Sequence, residues 1–330
     1  MITTYYKVFN EVDFLKESLE SVYPYTDKIV ILEYCLESMR KIVLDNRVTD
    51  RGLSTDGTTE LINNFPDPLH KIDYRPLGFV WGGENLIYQY MIDDIDVGDY
   101  MWVIDGDIVY RPEFANQIYE WCLEDKYDVI WVCEPVFWHD LYHTCGNFPT
   151  YHQRVLKKQT TATFYWPGLF EAKWVWDPGW RIAFYERNAY TTNDPRDFRW
   201  NNPDGKYYED KPYRPKMCSL EKGEYAYHYA YVRTVQRILE KLLWQYDMID
   251  RKWNNVAARN HCSTFKDPLD FKINTLQWIT AQDPAESALW TKGQPDVMKN
   301  NKWIDYHWDE KPINITYEEA RKLVKWVGEC

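Results

Sequence analysis

The sequence predicts an α/β protein in which a mainly parallel sheet is flanked by helices, with a helical or irregular region appended at the C-terminal end. Three observations lead there. Short apolar runs alternate with amphipathic stretches through the first third of the chain, the pattern of successive βαβ units. The run Ile29-Val30-Ile31-Leu32 is apolar at every position, as a strand buried on both faces requires. From Thr234 to Ile249, Val235, Ile238, Leu239, Leu242 and Leu243 recur at helical spacing.

Taken in order, Thr4 to Phe9 reads as the first strand. Asn10 is placed to cap a helix in which Leu15, Leu19 and Val22 share a face and which stops before Pro24. Lys28 to Glu33 forms a second strand that ends on a carboxylate. The connection from Tyr34 to Leu53 is long for a compact fold, which marks it as functional or disordered. Ser54-Thr55-Asp56-Gly57-Thr58 leads into a helix through Leu61 and Ile62. His70 to Tyr74 is a third strand, Glu84 to Met91 a third helix, and Tyr100 to Asp105 a fourth strand running into Gly106-Asp107. Pro112 opens a helix at a first-turn position, and Asp128 to Val132 is a further strand. Aromatic-rich segments punctuated by Pro and Gly follow, with no internal repeat. The division expected is one unit over residues 1–233 and a helical region over 234–330 packed on it.

Composition narrows the function. With 330 residues the chain can bury a sizeable core, and it holds no apolar run of about 18 residues that could span a bilayer. The opening Met1-Ile2-Thr3-Thr4-Tyr5-Tyr6-Lys7 has neither a basic n-region nor an apolar h-region, so a cytoplasmic location is expected. Seven cysteines are scattered singly without a C-x-x-C pair, and Cys122 and Cys133 sit in apolar surroundings as core residues. A formal charge of -12 argues against an extensive nucleic-acid surface, which must be basic, and leaves room only for a local basic patch. Seventeen Trp and 27 Tyr raise the aromatic share to 17%. Such rings suit the C–H faces of sugars, and they suit an ordinary core equally well.

In open α/β sheets ligands bind beyond the carboxyl ends of the strands, where Glu33 and Asp105 both fall. Asp105-Gly106-Asp107 sets two hard oxygen ligands on a tight turn, with Gly106 allowing close approach of the backbone to a phosphate. Carboxylates without His or Cys beside them suit Mg²⁺ or Mn²⁺, which can bridge a diphosphate and stabilise it as a leaving group. Spacing alone says little. Asp94-Ile95-Asp96 repeats it in a loop before Gly98, and position after an apolar strand separates the two. His228 lies in a stretch where Tyr225, Tyr227, Tyr229 and Tyr231 share one strand face, leaving the histidine between Ala226 and Ala230 with room for a ligand. A lone histidine is more commonly a core residue.

Taken together, Val8-Phe9-Asn10-Glu11, Ile29-Val30-Ile31-Leu32-Glu33, Ser54-Thr55-Asp56-Gly57-Thr58 and Trp102-Val103-Ile104-Asp105-Gly106-Asp107 resemble, in order, a family 2 glycosyltransferase of GT-A (Rossmann-like) fold with its DxD motif. The likeness continues more loosely through Gln153-Arg154-Val155-Leu156, Gly168-Leu169-Phe170-Glu171 and His228-Tyr229-Ala230-Tyr231-Val232-Arg233. It implies that Asn10, Glu11, Glu33 and Asp56 bind the nucleotide-sugar, with Glu33 at the nucleobase. Asp105 then touches the ribose or the metal, Asp107 binds the metal directly, and His228 is the third ligand. Arg154 and Arg233 either neutralise the diphosphate through forked hydrogen bonds or form surface ion pairs. An inverting transfer also requires a base. Glu171 matches the acid of a G-x-x-H-E pattern with Phe170 in place of the usual His, Asp177 is the alternative, and either could be a solvated carboxylate. Trp166, Trp176 and Trp180 crowd the segment where an acceptor should sit, or pack a small subdomain. The sequence departs from the family in its insertion after Glu33 and in Ile108, where many relatives carry another acid.

The resemblance therefore implies a metal-dependent hexosyl- or pentosyltransferase, with Mn²⁺ or Mg²⁺ and a nucleotide-diphosphate-sugar donor, a UDP-sugar foremost. The acceptor would be a glycan, a lipid-linked glycan, a protein or a modified DNA base. Two other classes compete. A sugar nucleotidyltransferase would carry a Gly-rich phosphate loop near the first strand, which Phe9-Asn10-Glu11-Val12 lacks. A non-catalytic carbohydrate-binding protein needs the aromatics but not the strand-end acids.

Overall fold

The computed structural model describes residues 1–36, 47–80, 84–138, 140–144, 150–158, 162–165, 171–176, 180–185, 214–234, 237–238, 288–305, 316 and 318–319. Strand β1 (Ile2–Val8) is buried at every position. Helix α1 (Leu15–Val22) buries Leu15, Leu19 and Val22, the positions its periodicity singles out. Its N-cap is Phe14 rather than Asn10. Asn10 instead sits in the left-handed region at φ 53, where its side chain accepts from Thr55 N (3.2 Å) and donates to Arg47 O (2.8 Å), so it ties loops together and caps nothing.

Strand β2 (Lys28–Leu36) continues past Glu33, and helix α2 (Thr58–Asn64) starts after Gly57, whose φ of 102 suits a residue without Cβ. Strand β3 (Ile72–Val80) starts later than His70 and runs well beyond Tyr74. It passes through Pro76, which is tolerated because β3 is the edge strand of its sheet. Helix α3 (Glu84–Asp93) and strand β4 (Tyr100–Asp105) lead to β5 (Ile108–Tyr110), and Pro112 opens α4 (Pro112–Leu123) in its first turn. There follow β6 (Val129–Glu134), β7 (Val136–Trp138), β8 (His143–Thr144), β9 (Thr150–Lys157), β10 (Ala162–Tyr165), β11 (Glu171–Trp176), β12 (Trp180–Tyr185), β13 (Pro215–Met217), β14 (Ala226–Tyr231) and β15 (Ala288–Leu289). The helix read over Thr234 to Ile249 falls outside the described residues apart from 234 and 237–238.

The large sheet has the order β13-β6-β9-β4-β1-β2-β3 and is parallel except for β9, which runs against both β4 and β6. The chain builds outward from β1 through β2 to β3, then returns to lay β4 on the other side of β1. Alternate residues of β1 serve two layers. Ile2, Tyr6 and Val8 join the cluster containing Phe14, Leu15 and Leu19, whereas Tyr5 and Lys7 reach Asp94 at the end of α3 and Tyr88 within it. Helices therefore cover both faces. A five-stranded sheet of order β15-β8-β7-β14-β5 stands beside the first, and β10, β11 and β12 form an antiparallel meander whose first strand packs near α3. Among the described residues no helix is long and apolar enough to cross a membrane.

Many of the aromatics are core. Tyr225, Tyr227 and Tyr229 are fully buried, Trp290 meets Phe137, Tyr225 and Tyr227 edge-on, and Cys122 and Cys133 are buried as their setting suggested. Phe14 stacks on Tyr229 at 5.0 Å and on Trp303 at 6.3 Å, so residues near the end of the chain complete the packing around α1. Trp303→Ala should cost about 3–5 kcal/mol, as large-to-small core changes of this kind do. Urea unfolding checks it, and an unchanged midpoint would mean that the C-terminal segment rests on the core without stabilising it.

Candidate active site

The strand order reverses around β1, and in doubly wound sheets the carboxyl ends of the strands at such a point, here β1 and β4, are where ligands are held. Lys7 pairs in register with Asp105 across these strands, and its Nζ lies 3.7 Å from Asp105 Oδ1 while donating to Tyr88 OH at 2.7 Å. Because β9 is antiparallel, its early residues stand at this same rim. Arg154 and His152 thereby arrive beside the last residues of β4 and β6.

Two buried arginines flank the Asp105-Gly106-Asp107 turn. Arg154 donates from Nη1 to Asp105 Oδ2 at 2.9 Å, and from Nε and Nη2 to the two oxygens of Glu134 at 2.5 and 2.9 Å. On the other side, Nη2 of Arg233 bridges Glu11 Oε2 at 2.7 Å and Asp107 Oδ2 at 3.0 Å. Arg237 extends the array by donating to Asn10 O, Asp13 and Asp56, and Lys302 reaches Asp13 at 2.6 Å. Arg154 and Arg233 are 5% and 1% exposed, so neither forms a surface ion pair. The members that face outward are Asp105, at 35% side-chain exposure, His152 and His228.

The small sheet delivers His228. Strand β14 pairs antiparallel with β5, His228 opposite Ile108, and Tyr229 N donates to Asp107 O at 3.0 Å. This register sets His228 Nε2 3.6 Å from Asp107 Oδ1. Among the described residues no group of three or more His, Cys, Asp or Glu is already arranged around a metal. Asp107 and His228 nevertheless fit a shared divalent ion, since two donors each about 2.1 Å from one centre stand roughly 3–3.6 Å apart. Asp105 is turned toward Arg154 and Lys7.

Three expectations take a different form here. Glu33 is fully buried, and its oxygens accept from Ser54 N, Thr59 Oγ1 and Tyr74 OH, so it holds the turn beneath the rim. Asp56 likewise accepts from Thr58 N and Oγ1 within its own turn and from Arg237. The space beside Gly106 belongs to Glu11, because a Cβ at position 106 would stand 2.9 Å from Glu11 Cβ. The second D-x-D spacing is structural: Asp94 accepts from Tyr5 OH and pairs with Arg75, and Asp96 is exposed. Asp177 and Trp166 lie outside the described residues, while Glu171, Trp176 and Trp180 are placed by backbone alone, at the start and end of β11 and the start of β12.

Lys7, Asp13, Glu134, His152 and Arg237 were not singled out by sequence. Glu134 could have been, since it is a carboxylate at the end of an apolar strand, as Asp105 is.

Burial works against ionisation throughout, and the arginines outweigh it. It opposes the charge on Asp105, but Arg154, Lys7 and His228 hold that carboxyl well below its usual range. Glu134 is brought down to about 2 against its burial, by Arg154 and His152. Asp13 is lowered in the same way by Arg233, Arg237 and Lys302. Arg154 stays charged in turn because Glu134 and Asp105 surround it.

These carboxyls titrate lower in the folded chain than in the unfolded one, where about 4 is usual. Their stabilisation is complete above the unfolded value and is lost as pH falls through the folded values. The urea midpoint should hold from about pH 7 to pH 5 and fall between about pH 4 and pH 2. A midpoint that rises with acid would contradict the charge pairing described. Gly106→Ala should lower stability by about 1–3 kcal/mol, read from the same unfolding curves at neutral pH, because the new methyl displaces Glu11 from Arg233. An unperturbed variant would show that this contact is loose.

No protein-family model matches the chain, and no curated protein matches it in sequence. Among solved structures it is similar to S. aureus TarS. Residues 1–349 of that protein in complex with UDP-GlcNAc align at 14% identity and a TM-score of 0.29, over 41% of this chain and 35% of that chain, about a third of its length. The same fragment with UDP gives 14% identity and a TM-score of 0.28, over 41% of this chain and 36% of that chain. The fragment alone gives 11% identity and a TM-score of 0.34, over 84% of this chain and 80% of that chain. Likeness of this degree leaves the functional reading to the site itself.

Proposed function

We propose that the chain is a metal-dependent glycosyltransferase that takes a nucleotide-diphosphate-sugar, a UDP-sugar foremost, in the crevice between β1 and β4. One observation carries the reading: Asp105, Asp107 and His228 converge at the topological switch point, the aspartates held by buried arginines and the histidine by strand pairing. A carbohydrate-binding module has no use for such an array, in which buried charges must be compensated at considerable cost.

In this reading Asp107 and His228 hold Mn²⁺ or Mg²⁺, and Asp105, the outward-facing acid, meets the ribose or the same ion. A divalent ion bound there supplies charge to the diphosphate leaving group. Arg154 keeps Asp105 ionised and Arg233 fixes the buried Asp107, and Asn10, Glu11 and Asp56 fix the loops beside them. The acceptor, a glycan, a lipid-linked glycan, a protein or a modified nucleobase, enters from the side of the β10–β12 meander, and Trp166, Trp176 and Trp180 of that stretch of sequence are its candidate contacts. Glu171 at the start of β11 is the base that deprotonates its hydroxyl, with Asp177 as the alternative.

UDP with Mn²⁺ should stabilise the protein, by roughly 2.7 kcal/mol at 100 times its Kd. Asp107→Asn should abolish the metal-dependent part of that shift and Asp96→Asn should leave it intact; equal loss from both, or from neither, overturns the assignment. Glu171→Gln should retain UDP binding while turnover falls about 10²-fold or more. Loss of turnover in Asp177→Asn alone moves the base to that residue, and loss in neither removes base assistance from this segment.

A further inference from the structure

We propose that Glu134 is a positioning residue for the metal site, backing the imidazole of His228 so that Nε2 is held toward Asp107. This rests on the metal-dependent reading above and gives that site an outer layer.

The imidazole lies between two carboxylates. Nε2 faces Asp107 Oδ1 at 3.6 Å, and Nδ1 faces Glu134 Oε2 at 3.7 Å. Glu134 is fully buried, so its charge serves only groups inside the fold. Oε1 is taken by Arg154 Nε, while Oε2 gathers Arg154 Nη2 and His152 Nδ1 and turns the same edge to His228.

The backbone makes this placement systematic. Directly after Glu134 the chain crosses from the large sheet into the small one, where Pro135 O accepts from His228 N at 3.2 Å and Val136 pairs with His228. The strand that carries the acid is thus locked to the strand that carries the histidine. At 3.7 Å this contact is a charge contact and not a hydrogen bond, and a carboxylate on this side of an imidazole favours the proton on the near nitrogen and the lone pair on the far one. Here the far nitrogen is the one that faces Asp107. His152, whose ring stands edge-on to that of His228 at 6.4 Å, braces the same carboxylate oxygen from the other side. Through Arg154 the same residue also holds Asp105, so one buried acid governs both arms of the rim.

The test uses the full chain with ¹⁵N-labelled histidine, read by long-range ¹H–¹⁵N NMR at a pH where the rings are neutral, with His228 assigned by its loss in His228→Asn. The wild type should show His228 as the Nδ1–H tautomer. Glu134→Gln removes the charge that Arg154 needs and can fail to fold. Glu134→Asp keeps that charge and withdraws the carboxylate by one methylene, so it is the decisive variant. It should move His228 toward the Nε2–H tautomer and weaken Mn²⁺ binding in the presence of UDP about 10- to 100-fold. An Nε2–H tautomer in the wild type, or an unchanged tautomer in a folded Glu134→Asp variant, overturns the proposal and assigns Glu134 to Arg154 and His152 alone. If wild type with UDP takes up no Mn²⁺, the metal reading fails, and the tautomer still decides whether Glu134 orients His228.

Discussion

The rim depends on two guanidinium groups taken out of water. Arg154 lies between Glu134 and Asp105, and Arg233 between Glu11 and Asp107, one on each side of a single turn. A buried charge with both partners in place is tolerated; removing one partner strands the other and typically costs about 3–5 kcal/mol. The ends of β1, β4 and β6 are thus held in mutual position by the need to keep every member compensated. Apolar packing sets where the strands run, and these pairs set where their last residues point.

Only one strand arrangement makes this possible. An all-parallel sheet would carry the early residues of β9 to the opposite edge, away from the crevice. Running antiparallel between β4 and β6, β9 brings His152 and Arg154 to the carboxyl edge instead. The small sheet performs the complementary task, since β5 begins directly after Asp107 and its pairing with β14 fixes His228. A strand pairing, once in register, cannot slip by one residue without turning every side chain to the other face. That gives His228 a defined position through backbone pairing alone.

The fold was legible because its signals are local. Apolar runs marked β1, β2, β4 and β6, and helical spacing marked Leu15, Leu19 and Val22, all of them buried. The placement of Asp105 and Asp107 at the end of an apolar strand was legible for the same reason. Glu134 escaped because its strand was taken to end at Val132, two residues before the carboxylate. Asn10 misled because its type suits a helix cap, while tertiary bonds to Thr55 and Arg47 claimed it first. Lys7, Asp13 and Arg237 carry no local signal. Their partners lie on other elements, and only the folded chain brings Arg237 to Asp13 and Asp56.

Glu33 shows how the surroundings of a carboxylate decide what its oxygens bond. It stands level with Val8, the last residue of β1, beneath the rim. Yet Ser54 N, Thr59 Oγ1 and Tyr74 OH surround it, and three donors inside the fold leave its oxygens no reason to turn outward. Asp105 stands in the equivalent place on β4 with a third of its side chain exposed, bonded to cations and not to backbone donors. The difference between a carboxylate that builds the crevice and one that faces it is therefore set by what saturates it. Backbone and hydroxyl donors close a carboxylate off, whereas the arginine and lysine beside Asp105 keep it ionised and leave part of it open to the crevice.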